Sequence, residues 1–337
     1  MKKIKCAVVG VGYLGRFHAE KYANLPNSKL VGICDIDAKR GNEISHKYDV
    51  VLTTDFRDLI GKVDAVSIVT PTQSHYKIAK VFLENGIHVL LEKPITNTVA
   101  EAEDLIAIAK KNKLVLQIGH LERFNTVVNA LEKYIDNPRF IECIRLAPFK
   151  LRSIDVNVVL DLMIHDIDLI QYIVGSPIKK IHANGACVLS DQIDIANARI
   201  QFENHCVANV TASRVSLKQE RRLRVFQPET YISLDLQHKQ LAIHRKGTNE
   251  MFPGIPDIIR EEQAFEQGDA LRDEIIAFLN SIAMKKPPVV SGVDGKMALA
   301  TAIEITDIVK KQMKLFKSLD KSSPKSRRPK VLEQEDA

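Results

Sequence analysis

The sequence of 337 residues contains no tryptophan, and aromatic residues make up only 6% of it. It also lacks a run of 18 apolar residues, so we expect no membrane insertion. The net charge of +6 is not accompanied by an aromatic-rich basic stripe, which disfavours a nucleic-acid partner. Because 45% of the residues are hydrophobic, the chain can bury a real core, and its length suggests two domains.

The five cysteines lack the spacing of a metal site or a redox motif. They are far apart and mostly lie in apolar runs, as expected for buried thiols in a reducing compartment. The N-terminal stretch "MKKIKCAVVGVGYLG" is basic and then apolar, but glycines interrupt it and no cleavage site of the A-x-A type follows. These features favour a cytoplasmic protein.

Short β-rich runs alternate with helical patterns in the first part of the chain, beginning with "KIKCAVVGV" (3–11) and "KLVGICD" (29–35). Nearly continuous apolar strands that alternate with helices predict a doubly wound parallel sheet, the Rossmann fold. After about residue 138 the pattern changes to one helix (157–175), then long alternating runs, then helices at 270–284 and 293–316. Long strands in series predict an α+β domain with a mostly antiparallel open sheet.

We therefore divide the chain into three parts. Residues 1–122 form the predicted Rossmann domain, and residues 123–316 form the α+β domain for substrate binding and oligomerisation. Residues 317–337 turn to serine, proline, lysine and arginine, which predicts a disordered tail.

The segment "VVGVGYLGRFHAEKY" has glycines in G-x-G-x-x-G spacing, with a strand before it and a helix after it. Its glycines permit a tight turn, close approach of a pyrophosphate and close helix packing. An aspartate twenty residues later would bond the ribose hydroxyls and repel a 2′-phosphate, which favours NAD over NADP, although Lys39 and Arg40 lie nearby. The alternative is a glycine turn in a fold without cofactor. The predicted cofactor-binding residues are Gly10, Gly12, Tyr13, Leu14, Gly15 and Asp35.

Two later strands also end in polar residues. Thr70 and Pro71 follow one of them, at the carboxyl edge where open α/β sheets bind ligands. His75 begins the next helix and is either a solvated first-turn residue or a cofactor contact.

The motif "EKP" ends another strand at Glu92, Lys93 and Pro94. The proline stops the strand, and we expect its peptide bond to be cis. Lys93 is either a solvated lysine or a reagent at the crevice. Glu92 either bonds the cofactor ribose or caps the crevice wall.

The helix predicted at 157–175 is mostly apolar but carries Asp161, His165, Asp168 and Tyr172 on one face. Burial of such groups is costly unless they are paired or functional. A metal site formed by His165, Asp166 and Asp168 is disfavoured, because Asp166 points to a different side, and we predict no metal.

Together these residues indicate a dehydrogenase. His165 has a suitable ordinary pKa to accept a hydroxyl proton near neutrality. Asp161 would orient the imidazole, and Lys93 would stabilise negative charge on the same oxygen. A non-catalytic NAD-binding sensor is the alternative, although a sensor needs no proton acceptor.

The glycine fingerprint, "EKP" and "DLMIH" resemble, in order and separation, the glucose-fructose oxidoreductase/inositol dehydrogenase (Gfo/Idh/MocA) family over residues 3–316. The resemblance implies that Lys93, Asp161 and His165 are the catalytic set, and that dimers or tetramers form through the C-terminal sheet. Val158 and Val159 stand where the family often has a glycine pair, which affects the shape of the substrate pocket.

Within the family, "GHLERFN" (119–125), "VNVVLDLMIHDIDLI" (156–170), "ASRVS" (212–216) and "RVFQPETYISLDL" (224–236) resemble the bacterial group that acts on UDP-N-acetylglucosamine. This implies oxidation of the sugar 3-hydroxyl with NAD, a step towards the diamino sugar of lipid A. The predicted substrate-binding residues are His120, Arg123, Asn125 and Asp168, and Arg123, Lys150 and Arg152 are candidate donors to the diphosphate. The alternatives are a dehydrogenase of a free sugar or inositol, and an NAD-dependent glycosidase.

Overall fold

The computed structural model describes residues 3–150 and 156–322, which form two sheets and the helices that cover them. The first sheet has the order β3-β2-β1-β4-β5-β6, and every pair of neighbours in it is parallel. Its strands are β1 (Ile4–Val9), β2 (Ser28–Cys34), β3 (Val51–Thr53), β4 (Ala65–Ile68), β5 (His88–Glu92) and β6 (Leu116–Gly119). The helices between them are α1 (Gly15–Asn24), α2 (Ala38–Tyr48), α3 (Thr72–Glu84) and α4 (Val99–Asn112). The predicted doubly wound parallel sheet is confirmed.

Local sequence signals explain where these helices begin and end. Thr98 and Glu101 form a reciprocal capping box at the start of α4, which satisfies two backbone N–H groups that lack helical partners. Asp37 caps α2 by accepting a hydrogen bond from the backbone N–H of Arg40. Helix α4 ends at Lys113 in the left-handed conformation.

The second sheet has the order β14-β13-β12-β11-β7-β10-β9-β8, and all neighbours are antiparallel except β7 and β10. This confirms the mostly antiparallel open sheet. Its strands are β7 (Phe140–Leu146), β8 (Ile178–Ala186), β9 (Ile195–Phe202), β10 (Val207–Ser213), β11 (Glu220–Gln227), β12 (Thr230–Asp235), β13 (Gln240–Phe252) and β14 (Ile255–Ala264). The remaining helices are α5 (Thr126–Leu131), α6 (Ile164–Val174), α7 (Ala270–Met284) and α8 (Gly292–Ser322).

One face of the second sheet is covered by helices α5, α6 and α8. The period-2 pattern of a strand assigns alternate side chains to that face. On β9, for example, Ala198, Ile200 and Phe202 are buried, while Arg199 is exposed on the opposite face. The sequence pattern of these strands therefore fixes which face carries the core.

The chain returns to the first sheet after completing the second. Ile275, Phe278 and Leu279 of α7 lie in one buried cluster with Cys6 and Tyr22 of the first sheet and α1. Helix α8 joins the cores of both sheets and continues to Ser322, six residues beyond its predicted end. Residues 317–322 of the predicted disordered tail are therefore helical, residues 323–337 lie outside the described residues, and the domain boundaries stay predictions. No helix in the described ranges is both long and apolar enough to cross a membrane.

Candidate active site

The glycine turn between β1 and α1 is dictated by backbone packing. Gly10 has φ +85°, and a Cβ atom on it would lie 2.6 Å from the carbonyl oxygen of Val69. A Cβ atom on Gly15 would lie 1.8 Å from the carbonyl oxygen of Gly10. Gly12 is different, because the nearest atom to its hypothetical Cβ is Arg40 Nη1 at 3.6 Å. Two of the glycines are therefore required by the fold, and the third leaves open space beside the turn.

This turn lines a cleft of about 980 Å³ that is large enough for a dinucleotide. The start of α1 supplies free backbone N–H groups and a partial positive charge to phosphates at this edge. The residues present therefore fit a nicotinamide dinucleotide. The predicted cofactor-binding residues that line the cleft are Gly10, Gly12, Tyr13, Leu14, Asp35, Thr70, Pro71, Glu92 and Lys93.

Asp35 lies at the end of β2 and is almost fully buried. Its Oδ2 accepts a hydrogen bond from the backbone N–H of Val11 at 2.8 Å, and its Oδ1 accepts one from Asp37 N at 2.9 Å. Arg40 Nη1 lies 3.9 Å from the same carboxylate. Asp35 thus fixes the glycine turn as well as facing the cleft.

His75 is not the solvated first-turn residue that the sequence offered as one alternative, and its contact with a cofactor stays a prediction. It is buried, its Nδ1 lies 2.9 Å from the Pro94 carbonyl oxygen, and its Nε2 lies 2.8 Å from that of Thr70. Burial lowers the pKa of the ring, so a neutral His75 donates to one carbonyl at a time. It is not among the residues that line the cleft. His75 therefore holds two strand ends together beneath the cleft.

Lys93 reaches from the end of β5 to the segment before α6. Its Nζ donates to the backbone carbonyl of Asp161 at 2.7 Å and lies 3.7 Å from the Asp161 carboxylate. Burial lowers the pKa of this lysine, although the charges of Asp161 and Glu92 oppose the shift. The Lys93–Pro94 bond is cis, as expected. Lys93 is therefore a partly desolvated cation in the cleft and not a surface charge.

The predicted helix at 157–175 is interrupted by a π turn, Val159–Met163, before α6 begins. Asn157 caps this turn by accepting hydrogen bonds from the N–H groups of Val159 and Leu160. Since a π turn is wider than an α turn, Asp161 and His165 do not keep ordinary i, i+4 geometry. Asp161 pairs with Lys93, and His165 Nδ1 has no hydrogen-bond partner among the described residues. The predicted contact of Asp161 with the imidazole is not formed.

His165 has the properties of a proton acceptor. Burial lowers its pKa well below the ordinary value, and the positive charges of Lys93 and Arg145 lower it further. His120 lies beside it, with the two ring centroids 6.4 Å apart at an angle of 86°. Both ring nitrogens of His120 are buried, and within the described ranges neither has a partner. These two imidazoles keep buried polar atoms without partners in the described part of the chain, although neither ring lines the cleft that Lys93 and Asp161 line.

The other predicted substrate-binding residues are already engaged. Arg123 is 4% exposed, donates to Asp168 at 2.8 and 3.2 Å, and lies over the ring of Tyr172 at 3.8 Å. Asn125 caps α5 and donates to Glu122 and to the backbone carbonyl of Leu236. Their buried polar groups satisfy one another, and their contact with a sugar stays a prediction.

Two further candidate donors to the diphosphate were predicted in the loop before residue 157. Lys150 is exposed, and Arg152 lies outside the described residues.

A buried charge network lies near His165 and was not predicted from the sequence. Arg145 of β7 donates to Asp166 at 2.7 to 3.0 Å and to Glu122 at 3.0 Å. Arg221 of β11 lies 3.5 Å from Glu122 and keeps a half-exposed side chain. The available signal was the alternation in "FIECIRL", which assigns Arg145 to the buried face of a strand.

One group of described residues could offer three atoms to a metal. These atoms belong to His18, Glu92 and Glu274 and lie within 4.8 Å of one another. The three residues belong to α1, β5 and α7, whereas His165 belongs to α6.

The fold and the site define a nicotinamide-dependent oxidoreductase with a Rossmann sheet and a second, open sheet. The model described as an oxidoreductase family with an NAD-binding Rossmann fold matches residues 4–120, and the GFO/IDH/MocA C-terminal domain matches residues 148–232. The chain belongs to the Gfo/Idh/MocA oxidoreductase family.

Individual relatives extend this similarity over most of the chain. A UDP-N-acetylglucosamine 3-dehydrogenase from Acidithiobacillus ferrooxidans is 40% identical, with 90% of this chain and 97% of the relative covered. A crystal form of that enzyme superposes with a TM-score of 0.87 over 92% of this chain and 98% of the other. A myo-inositol 2-dehydrogenase from Thermotoga maritima is 26% identical, with coverage of 88% and 93%.

Proposed function

We propose that the protein oxidises the 3-hydroxyl of UDP-N-acetylglucosamine with NAD and gives the 3-keto nucleotide sugar. The observation that carries this proposal is the neutral imidazole of His165, whose Nδ1 has no partner among the described residues, near the Lys93 ammonium. The substrate assignment is supported by the 40% identical dehydrogenase, which aligns over nearly its whole length.

The roles of the chain's own groups follow from this geometry. When bound, the nicotinamide supplies the hydride acceptor. His165 accepts the hydroxyl proton, because burial and neighbouring cations keep it neutral near pH 7. The Lys93 ammonium donates to the same oxygen and stabilises its developing negative charge. Asp161 holds Lys93 in place through its carbonyl and carboxylate oxygens.

NAD is the proposed cofactor in preference to NADP. The Asp35 carboxylate lies where a ribose is expected and would repel a 2′-phosphate. Arg40 lies 3.9 Å from the Asp35 carboxylate. Its guanidinium already donates to Asp37 at 2.9 Å, so its charge is balanced by that carboxylate.

The product and the assembly are part of the same proposal. A 3-keto sugar is the carbonyl substrate that an aminotransferase needs, consistent with a role in making the diamino sugar of lipid A. We propose a cytoplasmic homodimer or homotetramer that associates through the exposed face of the second sheet. The molar mass in solution, measured by light scattering, tests the assembly.

The central test is NADH formation with UDP-N-acetylglucosamine. His165→Ala should lower kcat by about 10²–10⁴-fold, because general base catalysis contributes that much. His46→Ala is a matched control, since it removes an exposed histidine from the last turn of α2. Equal rates in wild type and His165→Ala would remove His165 from its role, and no turnover with any nucleotide sugar would refute the substrate.

A free sugar or inositol is the second candidate, supported by the 26% identical inositol dehydrogenase. Competition by UDP alone separates the two. UDP should compete if the nucleotide is recognised, and it should have no effect if the enzyme binds only a free polyol.

A further inference from the structure

Three side chains meet beneath the E-K-P segment and take no part in the mechanism described above. They are His18 of α1, Glu92 of β5 and Glu274 of α7, and we call them the buried acid cluster. One nitrogen or oxygen from each lies within 4.8 Å of the others. The cluster therefore brings two carboxyl groups together in the interior, directly behind Lys93.

Glu274 cannot be an ordinary carboxylate. It is 0% exposed, and neither carboxyl oxygen has a hydrogen-bond partner in the described part of the chain. Gln117 holds its backbone carbonyl at 3.0 Å but leaves its own Oε1 without a partner. Burial raises the pKa of Glu274 well above its ordinary value, and the charge of Glu92 raises it further. Because an isolated buried carboxylate is very costly, Glu274 is a neutral acid.

Glu92 has the opposite environment. Its Oε1 lies 3.3 Å from His18 Nε2, and its Oε2 accepts a hydrogen bond from the backbone N–H of Lys93 at 3.2 Å. Burial raises the pKa of Glu92, but the hydrogen bond and charge of His18 and the charge of Lys93 outweigh it, so the pKa is lowered. Glu92 is therefore ionised, and the two carboxyl groups together carry one proton.

The position of Glu92 is also fixed sterically. Its carboxyl carbon would lie 3.0 Å from a Cβ atom on Gly119, so the side chain lies against the bare backbone of β6. Glu92 in turn holds the backbone of Lys93, whose ammonium contacts Asp161. A change in Glu92 is thereby transmitted to the ammonium in the cleft.

We propose that Glu274 is a positioning residue for the reaction. Its neutral carboxyl group lies within 4.8 Å of Glu92 and presents an O–H dipole to the Glu92 carboxylate, so the buried acid cluster keeps a single negative charge on Glu92 and Lys93 stays aligned with Asp161. This inference deepens the proposed function and rests on it. The same three atoms would suit a divalent cation only if Glu274 were ionised. Replacing Glu274 by a neutral residue should therefore be tolerated if Glu274 is a neutral acid, and should be harmful if it binds a cation.

The experiment compares Glu274→Gln with Glu274→Met in the full-length protein. Glutamine is neutral and keeps a donor, whereas methionine has a similar length and no donor. Glu274→Gln should keep kcat within about threefold of wild type, and Glu274→Met should lower kcat by about tenfold or more, since misplaced catalytic groups cost that much. The dissociation constant of NAD should stay the same in both. Ser281→Ala, on the same helix and bonded only to carbonyl groups, is the control and should leave kcat unchanged.

Two results would overturn the proposal. Equal kcat in Glu274→Met and wild type would show that no donor is needed. A loss in Glu274→Gln as large as that in Glu274→Met would show that a carboxylate, or a cation bound to it, is required.

A measurement without substrate keeps this test separate from the proposed function. The infrared band of a protonated carboxyl group should be present in the wild type and absent from Glu274→Gln. No difference between those spectra would overturn the inference even if Glu274→Met failed to fold. Absence of turnover with the nucleotide sugar would refute the proposed function and leave the infrared result unaffected.

Discussion

The two halves of the cleft differ in whether backbone or side chains form them. The cofactor half consists mainly of backbone, namely the glycine turn and the ends of β4 and β5, and it is fixed by close atomic approach. The half proposed for the substrate, which we call the substrate half, is supported by buried charged side chains around His165, including Arg123 with Asp168 and Arg145 with Asp166. The structure of the cofactor half requires glycines without side chains. The structure of the substrate half requires charged side chains that pair with one another.

This difference determines how each half fails. A backbone site is disrupted when volume is added, because packed backbone cannot move aside. A site supported by buried ion pairs is disrupted when one partner is removed, because the other charge is left unpaired in the interior. Substitutions in the two halves should therefore be distinguishable by whether they change stability, cofactor binding or proton transfer.

The largest effect is expected in the substrate half. Arg145→Met should lower the free energy of unfolding by about 3–5 kcal/mol, because it leaves the buried carboxylate of Asp166 without its cation and leaves Glu122 with Arg221 alone. Denaturant unfolding followed by circular dichroism measures this loss. Arg272→Met, at an exposed position of α7, should change the free energy of unfolding by less than about 0.5 kcal/mol. Equal stability of the two variants would contradict the buried-pair interpretation.

The glycine turn offers an internal comparison within the cofactor half. Gly15→Ala should destabilise the protein by about 1–3 kcal/mol, because its Cβ would meet the Gly10 carbonyl oxygen at 1.8 Å. Gly12→Ala should leave the melting temperature nearly unchanged, since no atom lies within 3.4 Å of its Cβ, and should instead raise the dissociation constant of NAD. Calorimetry and cofactor titration separate the two effects. A similar loss of stability in both variants would show that the open space at Gly12 is not reserved for a ligand.

The cofactor half was largely predictable from sequence because its signals are local. The glycine spacing, the strand ends at Thr70 and Glu92, and the strand–helix alternation of a parallel sheet are all visible in short segments. What local pattern could not show is the role of His75, which depends on two carbonyl groups brought together by tertiary structure.

The substrate half was less predictable because its contacts are distant in sequence. Strand β7 was not predicted, and with it the pairing of Arg145 with Asp166 was missed. The sequence predicted regular α-helical spacing through a segment that contains a π turn. It therefore predicted a contact of Asp161 with His165, whereas Asp161 pairs with Lys93. The buried acid cluster joins α1, β5 and α7, which no sequence window spans.

Cofactor preference provides a smaller test of the cofactor half. Asp35→Asn keeps the shape of the side chain but removes the negative charge that would repel a 2′-phosphate. Its NH2 group cannot accept one of the two backbone hydrogen bonds that Asp35 accepts, but that loss affects both cofactors and cancels in their ratio. The ratio of kcat/KM for NADP to that for NAD should rise about tenfold, equivalent to about 1.4 kcal/mol. Asp49→Asn, at the far end of α2, is the control and should leave the ratio unchanged. An unchanged ratio in Asp35→Asn would argue against a ribose contact at this position.

The smallest expected effect tests whether charge in the substrate half reaches His165. Arg221 is one of the cations that lower the pKa of this imidazole, after burial, Lys93 and Arg145. Oxidation requires neutral His165, so activity is present above its pKa and is lost as the pH falls through it. Arg221→Gln removes a positive charge and raises that pKa, so the acid limb of kcat/KM should move to higher pH by less than about one unit. Arg222→Gln is the matched control, since the neighbouring side chain on β11 pairs with Glu220 and is not among these cations. An equal shift in both variants would mean that the acid limb reflects overall charge and not the field at His165.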